Sequence, residues 1–140
     1  MSEPDLSHLL LTAFRSLDAE IGRGLQDRGI SDLRPSQAAA LLLVDRAGTR
    51  LGDLSQRAQV TKQAMMQVVD DLVSLGLVRR VPDPADARAK LVKLTAKGLR
   101  QRAEARRALA SVDARIRRRL GDRRYDGFRI ALAEVSSGEE

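Results

Sequence analysis

The sequence predicts a mainly α-helical single domain carrying one small β-hairpin, on three observations. Apolar residues recur at three- and four-residue intervals through most of the 140 positions, the spacing of amphipathic helices. Aromatics are almost absent, with Phe14, Tyr125 and Phe128 the whole set. The core must therefore be packed from Leu, Val, Ile and Ala, which suits helices. Residues 83–95, DPADARAKLVKLT, break the helical rhythm with a Pro-bearing acidic turn followed by β-branched and basic residues, the signature of a turn and a returning strand.

Taken in order, residues 5–28 read as one long helix. Leu6, Leu10, Phe14, Leu17, Ile21 and Leu25 form a continuous stripe, and Gly29 ends it. So long a stripe exceeds the needs of a small core and suits a partner subunit. A second helix is expected through SQAAALLLVDRAG, with Pro35 in its first turn and Gly48 just past its end. It is apolar almost all round and so reads as the buried central helix. GTRL is expected to be a brief extended link, followed by a short helix over residues 52–59.

Thr61 is placed to cap the next helix, TKQAMMQVVDDLVSLG, its hydroxyl accepting a first-turn N–H. Ala64, Met65, Val68, Val69, Leu72 and Leu75 should face inward and Gly76 close the helix. Lys62, Gln63, Met66 and Gln67 should face outward. LVRRVPD and AKLVKLT read as the two hairpin strands, and Thr95 as the cap of a further helix. Leu99, Ala103, Leu109, Val112, Ile116 and Leu120 mark that helix's apolar side. Gly121–Asp122 interrupts, and Tyr125, Phe128, Leu132 and Val135 stripe a last helix before a fraying SSGEE tail.

Charge is unevenly spread. Residues 1–78 hold 8 Lys/Arg against 10 Asp/Glu, and residues 79–140 hold 17 against 9, so the two parts carry −2 and +8. A basic surface of this kind suits a polyanion, which it binds by releasing condensed counterions; the plain alternative is a solvated Arg-rich helix face. No cysteine is present, which excludes disulfides, thiolate metal sites and a thiol switch. The lone His8 argues against a transition-metal site, and no cofactor is expected. Asp70 and Asp71 are consecutive on a helix and point apart, so paired acid–base chemistry is not expected. With no phosphate loop and no nucleophile–base pair, an enzyme is disfavoured. No basic leader or long apolar run is seen, and a cytoplasmic protein without a membrane partner is expected.

Two short helices followed by a hairpin make a winged helix-turn-helix. The second helix of such a pair fits the DNA major groove, where Lys and Gln meet base edges. Its hairpin, or wing, reaches the backbone or the narrow minor groove, where negative potential draws an Arg. The residues expected at double-stranded DNA are Thr61, Lys62, Gln63, Met66 and Gln67 on the helix and Arg88 on the wing. Lys90 and Lys93 read either as phosphate contacts or as strand solubilisers.

The run from Asp86 to Gly98 fits D-x-R-x-x-x-V-x-L-T-x-x-G through Asp86, Arg88, Val92, Leu94, Thr95 and Gly98. With the preceding LGLVRRVPDPAD and the order of the helices, it resembles the wing of MarR-type transcriptional regulators over roughly residues 6–136. The resemblance implies a homodimer in which N- and C-terminal helices interlock while two winged helices read a palindromic site. It implies that Arg88 enters the minor groove, that Asp86 holds the wing, and that any small-molecule effector sits between the dimer helices and the DNA module. One departure stands out. Many relatives begin the second helix with a capping hydroxyl before Pro and Gln; here Arg34 precedes Pro35 and Gln37. A guanidinium cannot accept an N–H, so Asp32 or water must cap, and Arg34 is available to touch phosphate.

The expected organisation is one domain over 1–140, with 34–95 the DNA-binding module and 5–28 and 96–136 the dimerisation helices. The interface is placed at Leu6, Leu10, Phe14, Leu17, Ile116, Leu120, Phe128 and Leu132. The expected function is a ligand-responsive homodimeric repressor at a palindromic operator. The rivals are a winged-helix protein-interaction module and a non-specific DNA-coating protein drawn to DNA through the Arg-rich residues 115–124.

Overall fold

The computed structural model describes residues 2–138. Six helices and three short strands follow in the order α1 (Leu6–Asp27), α2 (Pro35–Leu43), β1 (Thr49–Arg50), α3 (Leu51–Ala58), α4 (Lys62–Ser74), β2 (Val78–Asp83), β3 (Asp86–Leu94), α5 (Ala96–Leu120) and α6 (Asp122–Ser137). The strands form one antiparallel sheet in the order β1-β3-β2. Helices α2, α3 and α4 with this sheet are a winged helix-turn-helix, and α1, α5 and α6 flank it.

The core lies in that module. Leu41, Val44, Leu54, Val69, Leu72, Leu77 and Val78 are fully enclosed, and Leu25 of α1 with Ala105 and Ala108 of α5 close the same cluster. The stripe on α1 therefore divides. Ile21 and Leu25 pack inward, whereas Leu6 and Phe14 are 67% and 63% exposed. On α5 the buried face is Ala105 and Ala108, small residues that let α1 approach closely; Ala103, expected inward, is exposed.

Helix α2 ends at Leu43, short of the expected run to Gly48. Two guanidinium groups take its last carbonyls: Arg57 Nη1 donates to Leu43 O at 2.8 Å and Arg102 Nη1 to Val44 O at 2.7 Å. Val44 is already extended, the Asp45 N–H bonds the Thr49 hydroxyl, and Gly48 N–H closes a turn onto Asp45 O. That turn delivers Thr49–Arg50 as a strand paired to Val92 and Leu91, so the expected link is the third strand of the sheet. Helix α2 is also not buried all round, since Ala39 is exposed.

The joint between α4, the wing and α5 is densely bonded. Thr95 caps α5 by accepting Gly98 N–H at 3.0 Å, and the same hydroxyl donates to Gly76 O at 2.6 Å. Thr95 N–H donates to Leu77 O at 3.0 Å, and Lys97 Nζ to Leu75 O at 2.8 Å. The carbonyls left over at the end of α4 thus find their donors at the start of α5. At Gly98 a Cβ would stand 1.9 Å from the Leu77 carbonyl oxygen, so only glycine fits.

Candidate nucleic-acid interface

Helix α4 begins where expected. Gln59 turns the chain in a left-handed conformation (φ 56°) after α3, and Thr61 caps α4 by accepting Ala64 N–H at 3.1 Å. Lys62, Gln63, Met66 and Gln67 lie on the first two turns, all exposed, with Met66 at 47%. Lys62 and Met66, Gln63 and Met66, and Gln63 and Gln67 lie three or four positions apart, the spacing of neighbours on a helix surface, so these four form a single patch. Lys62 extends along α3, its Cε 3.3 Å from where a Gly52 Cβ would stand. The opposite side of α4 buries Met65, Val69 and Leu72. Ala64, expected in the core, is exposed instead because it opens onto a cavity described below.

The two carboxylates on α4 would repel phosphate if free. They are not: Arg80 Nη2 of β2 binds Asp70 Oδ1 at 2.5 Å, and Asp71 accepts from Arg34 Nη2 at 3.3 Å and from Gln67 Nε2 at 3.0 Å. Arg34 is therefore engaged toward the later turns of α4, away from Lys62, while its side chain stays 71% exposed. Its exposed pair is worth little on its own, so the guanidinium is free to exchange Asp71 for another anion. At the start of α2, Gln37 Oε1 accepts the Arg34 backbone N–H at 2.9 Å. Only this reciprocal half of a capping box forms. Asp32, the expected substitute cap, makes no side-chain hydrogen bond among the described residues.

The wing differs from a plain hairpin. Pro84 and Ala85 form the turn, and β3 starts at Asp86, three residues earlier than expected. Register then shifts: Asp83 pairs with Asp86, but Pro82 pairs with Lys90. Residues 87–89 have no counterpart on β2, and Arg88 is the middle one. A bulge of this kind re-aims a side chain out of the ladder. Asp86 Oδ1 accepts the Arg88 backbone N–H at 3.0 Å, fixing the peptide that carries the arginine. Lys90 is exposed beyond the bulge. Arg79 and Lys93 are direct cross-strand partners, a like-charge juxtaposition that costs stability unless an anion lies between.

A second anchor was not foreseen. Arg50 Nε and Nη2 reach Asp83 Oδ2 at 2.8 and 2.6 Å, while Asp83 Oδ1 accepts Ala85 N–H at 2.9 Å. One buried carboxylate thereby ties β1 to the wing tip. The Ala85 N–H and then Arg50 hold the Asp83 carboxyl below the usual carboxylate value. Arg50 and Asp83 are 33 positions apart, so no local pattern pairs them.

Behind α4, a cavity of about 410 Å³ opens between α1, α2, α4 and α5. Phe14, Asp18, Ile21, Pro35, Ala38, Ala39, Leu43, Ala64, Met65, Val68 and Leu109 are among its walls. Helix α4 is thus patch on one side and cavity wall on the other. Of the expected interface residues, Phe14 lines this cavity and the others fall elsewhere: Leu6, Leu10, Phe14 and Phe128 are exposed, whereas Leu17, Ile116, Leu120 and Leu132 are half-buried. Leu17, Ile116, Leu120 and Phe128 line a groove of about 830 Å³ with Leu9 and Ala13. Leu9, Leu11 and Ile130 are also exposed and lay outside the expected set. No helix among the described residues is long and apolar enough to cross a membrane.

Residues 31–89 match the model of the MarR family. The chain is 30% identical over 134 residues to the HTH-type transcriptional repressor Rv2887 of Mycobacterium tuberculosis, covering 94% of each protein. Its fold matches the crystal structure of a Staphylococcus aureus MepR–DNA complex with a TM-score of 0.84 at 17% identity, over 98% of this chain and 100% of that one. It also matches CouR of Rhodococcus jostii RHA1 bound to p-coumaroyl-CoA, with a TM-score of 0.82 at 23% identity, over 97% of this chain and 94% of that one.

Proposed function

The chain belongs to the MarR family of transcriptional regulators, and on that premise we propose that it acts as a homodimeric repressor reading a palindromic operator and released by a small molecule. The observation that carries this reading is the pairing of an exposed Lys62–Gln63–Met66–Gln67 patch on α4 with Arg88 raised on a bulged wing. The patch reads base edges in the major groove, Arg88 enters the minor groove beside it, and Lys90 and Arg34 meet phosphate. The neutralisation of Asp70 by Arg80 supports DNA over a basic protein as the partner.

Association of two copies through α1, α5 and α6 is supported by Leu6, Leu9, Leu10, Leu11 and Phe14 of α1 and Phe128 and Ile130 of α6, which stand exposed. Contiguous apolar surface on this scale marks an interaction site. The cavity behind α4 is the effector site in this reading. A ligand there bears on the back of the reading helix and on α1, so it can alter the spacing of the two recognition helices, which must sit about 34 Å apart to read successive turns. A coupling of about 1–3 kcal/mol changes DNA affinity some five- to 150-fold.

Selection of duplexes from a random DNA pool at about 150 mM salt tests the reading. The expected result is an inverted repeat with half-sites about ten base pairs apart. Binding without sequence enrichment that fades steeply with salt would replace it with a DNA-coating role. Absence of any DNA binding would favour a protein partner.

A further inference from the structure

The cavity behind α4 differs in charge from the rest of the molecule. The chain holds 21 Arg and 4 Lys, yet neither type, nor His, lines this space. Its one ionisable wall residue is Asp18, and Ser36 is the only hydroxyl. Asp18 shares a helix face with Phe14 and Ile21, four residues after the first and three before the second. It has no ion pair or side-chain hydrogen bond among the described residues. Asp18 is half-buried within this largely apolar wall.

We propose, on the reading that this cavity is the effector site, that it selects an uncharged or cationic apolar molecule and rejects anions. The walls supply burial for rings or alkyl groups, and a volume of about 410 Å³ accommodates a compact polycyclic or branched ligand. An ammonium placed at Asp18 satisfies a carboxylate that otherwise has no partner. A ligand carboxylate in the same place meets a like charge in a site of reduced dielectric, with no basic group to offset its lost hydration. The ligand class follows from that asymmetry. Asp18 sets the preferred charge, and Phe14, Ile21, Leu43, Met65 and Val68 set the apolar shape.

The test uses three probes of one shape: 2-naphthylmethylamine, protonated at neutral pH, 2-naphthalenemethanol and 2-naphthoate, each titrated calorimetrically into the full-length protein. The amine is expected to bind at least about tenfold more tightly than the naphthoate, with the alcohol between them. Asp18→Asn should bring the amine to the level of the alcohol, and Asp18→Arg should reverse the order. Ala39→Phe, which fills the cavity, should abolish all three. The proposal is overturned if naphthoate matches the amine, if Asp18→Asn leaves the preference intact, if binding survives Ala39→Phe, or if none of the probes binds. Duplex binding by the same samples without probe reports separately on the DNA-reading role, so loss of one conclusion is distinguishable from loss of the other.

Discussion

Leu41, Leu54, Leu72 and Leu77 of the winged module are sealed from solvent by their own chain, while Leu6, Phe14 and Ile130 on the flanking helices stand uncovered, the last at 61% exposure. Both regions draw on the same few aliphatic residue types. The difference lies in what each can pack against. The module brings three helices and a sheet onto one centre, so each stripe finds another within the chain. Helix α1 packs mainly against α5 and more lightly against α2, and α6 packs mainly against α5. With Leu25, Ala105 and Ala108 the module closes its own core, whereas the flanking helices keep apolar surface that the proposed second copy would cover.

Substitutions that separate these two kinds of burial test the contrast. Leu72→Ala should lower unfolding free energy by about 2–5 kcal/mol through loss of transfer energy and an unfilled cavity, by the same amount at every protein concentration in urea titrations. A strong concentration dependence of that loss would mean the module is not complete by itself. Leu10→Asp should act in the opposite manner. It leaves the module folded but weakens association by about 3 kcal/mol, because the charge is buried unpaired at the proposed interface; sedimentation equilibrium that still finds a full dimer would move the interface elsewhere.

Arg88→Ala should cost about 1–3 kcal/mol of operator affinity with no change in association, as fluorescence anisotropy and sedimentation would together report. Unchanged affinity would remove the wing from the reading surface. Thr95→Ala probes the boundary between the two regions and should cost about 1 kcal/mol, the value of a helix cap, in thermal or urea unfolding.

The smallest effect concerns pH. The Asp83 carboxyl is held below its ordinary value of 3.8 by the Ala85 N–H and Arg50, so its folded form binds a proton less readily than the unfolded chain does. Its contribution to stability is therefore complete above the ordinary value and is lost as pH falls through the lower folded value. Arg50→Met should flatten the acid limb of the stability profile. An unaltered limb would show that the clamp contributes nothing.

Helix identities, the Thr61 and Thr95 caps and the wing were legible in the sequence because each rests on neighbours a few residues apart. The features that escaped depend on distant partners. Helix α2 stops at Leu43 because Arg57 and Arg102 claim its last carbonyls from 14 and 58 residues away. β1 is a strand only because β3 lies beside it, and Asp83 is an anchor only because Arg50 reaches it. Ala64 and Ala103 fit the apolar spacing of their helices, but spacing alone does not say where a cavity opens or which neighbour is near. For the interface patch, periodicity sufficed to identify the outward side of α4. The bulge that re-aims Arg88 needed the register itself.

With the Leu77 carbonyl filling the space beside Gly98, α5 is locked to the wing at its start and held in the core by Ala105 and Ala108. Its 25 residues extend about 37 Å, so a tilt of about 5° at the fulcrum carries the far end through about 3 Å. The same fulcrum holds the end of α4 through the carbonyls of Leu75, Gly76 and Leu77. A small displacement of that far end is thereby geared to a rotation of α4.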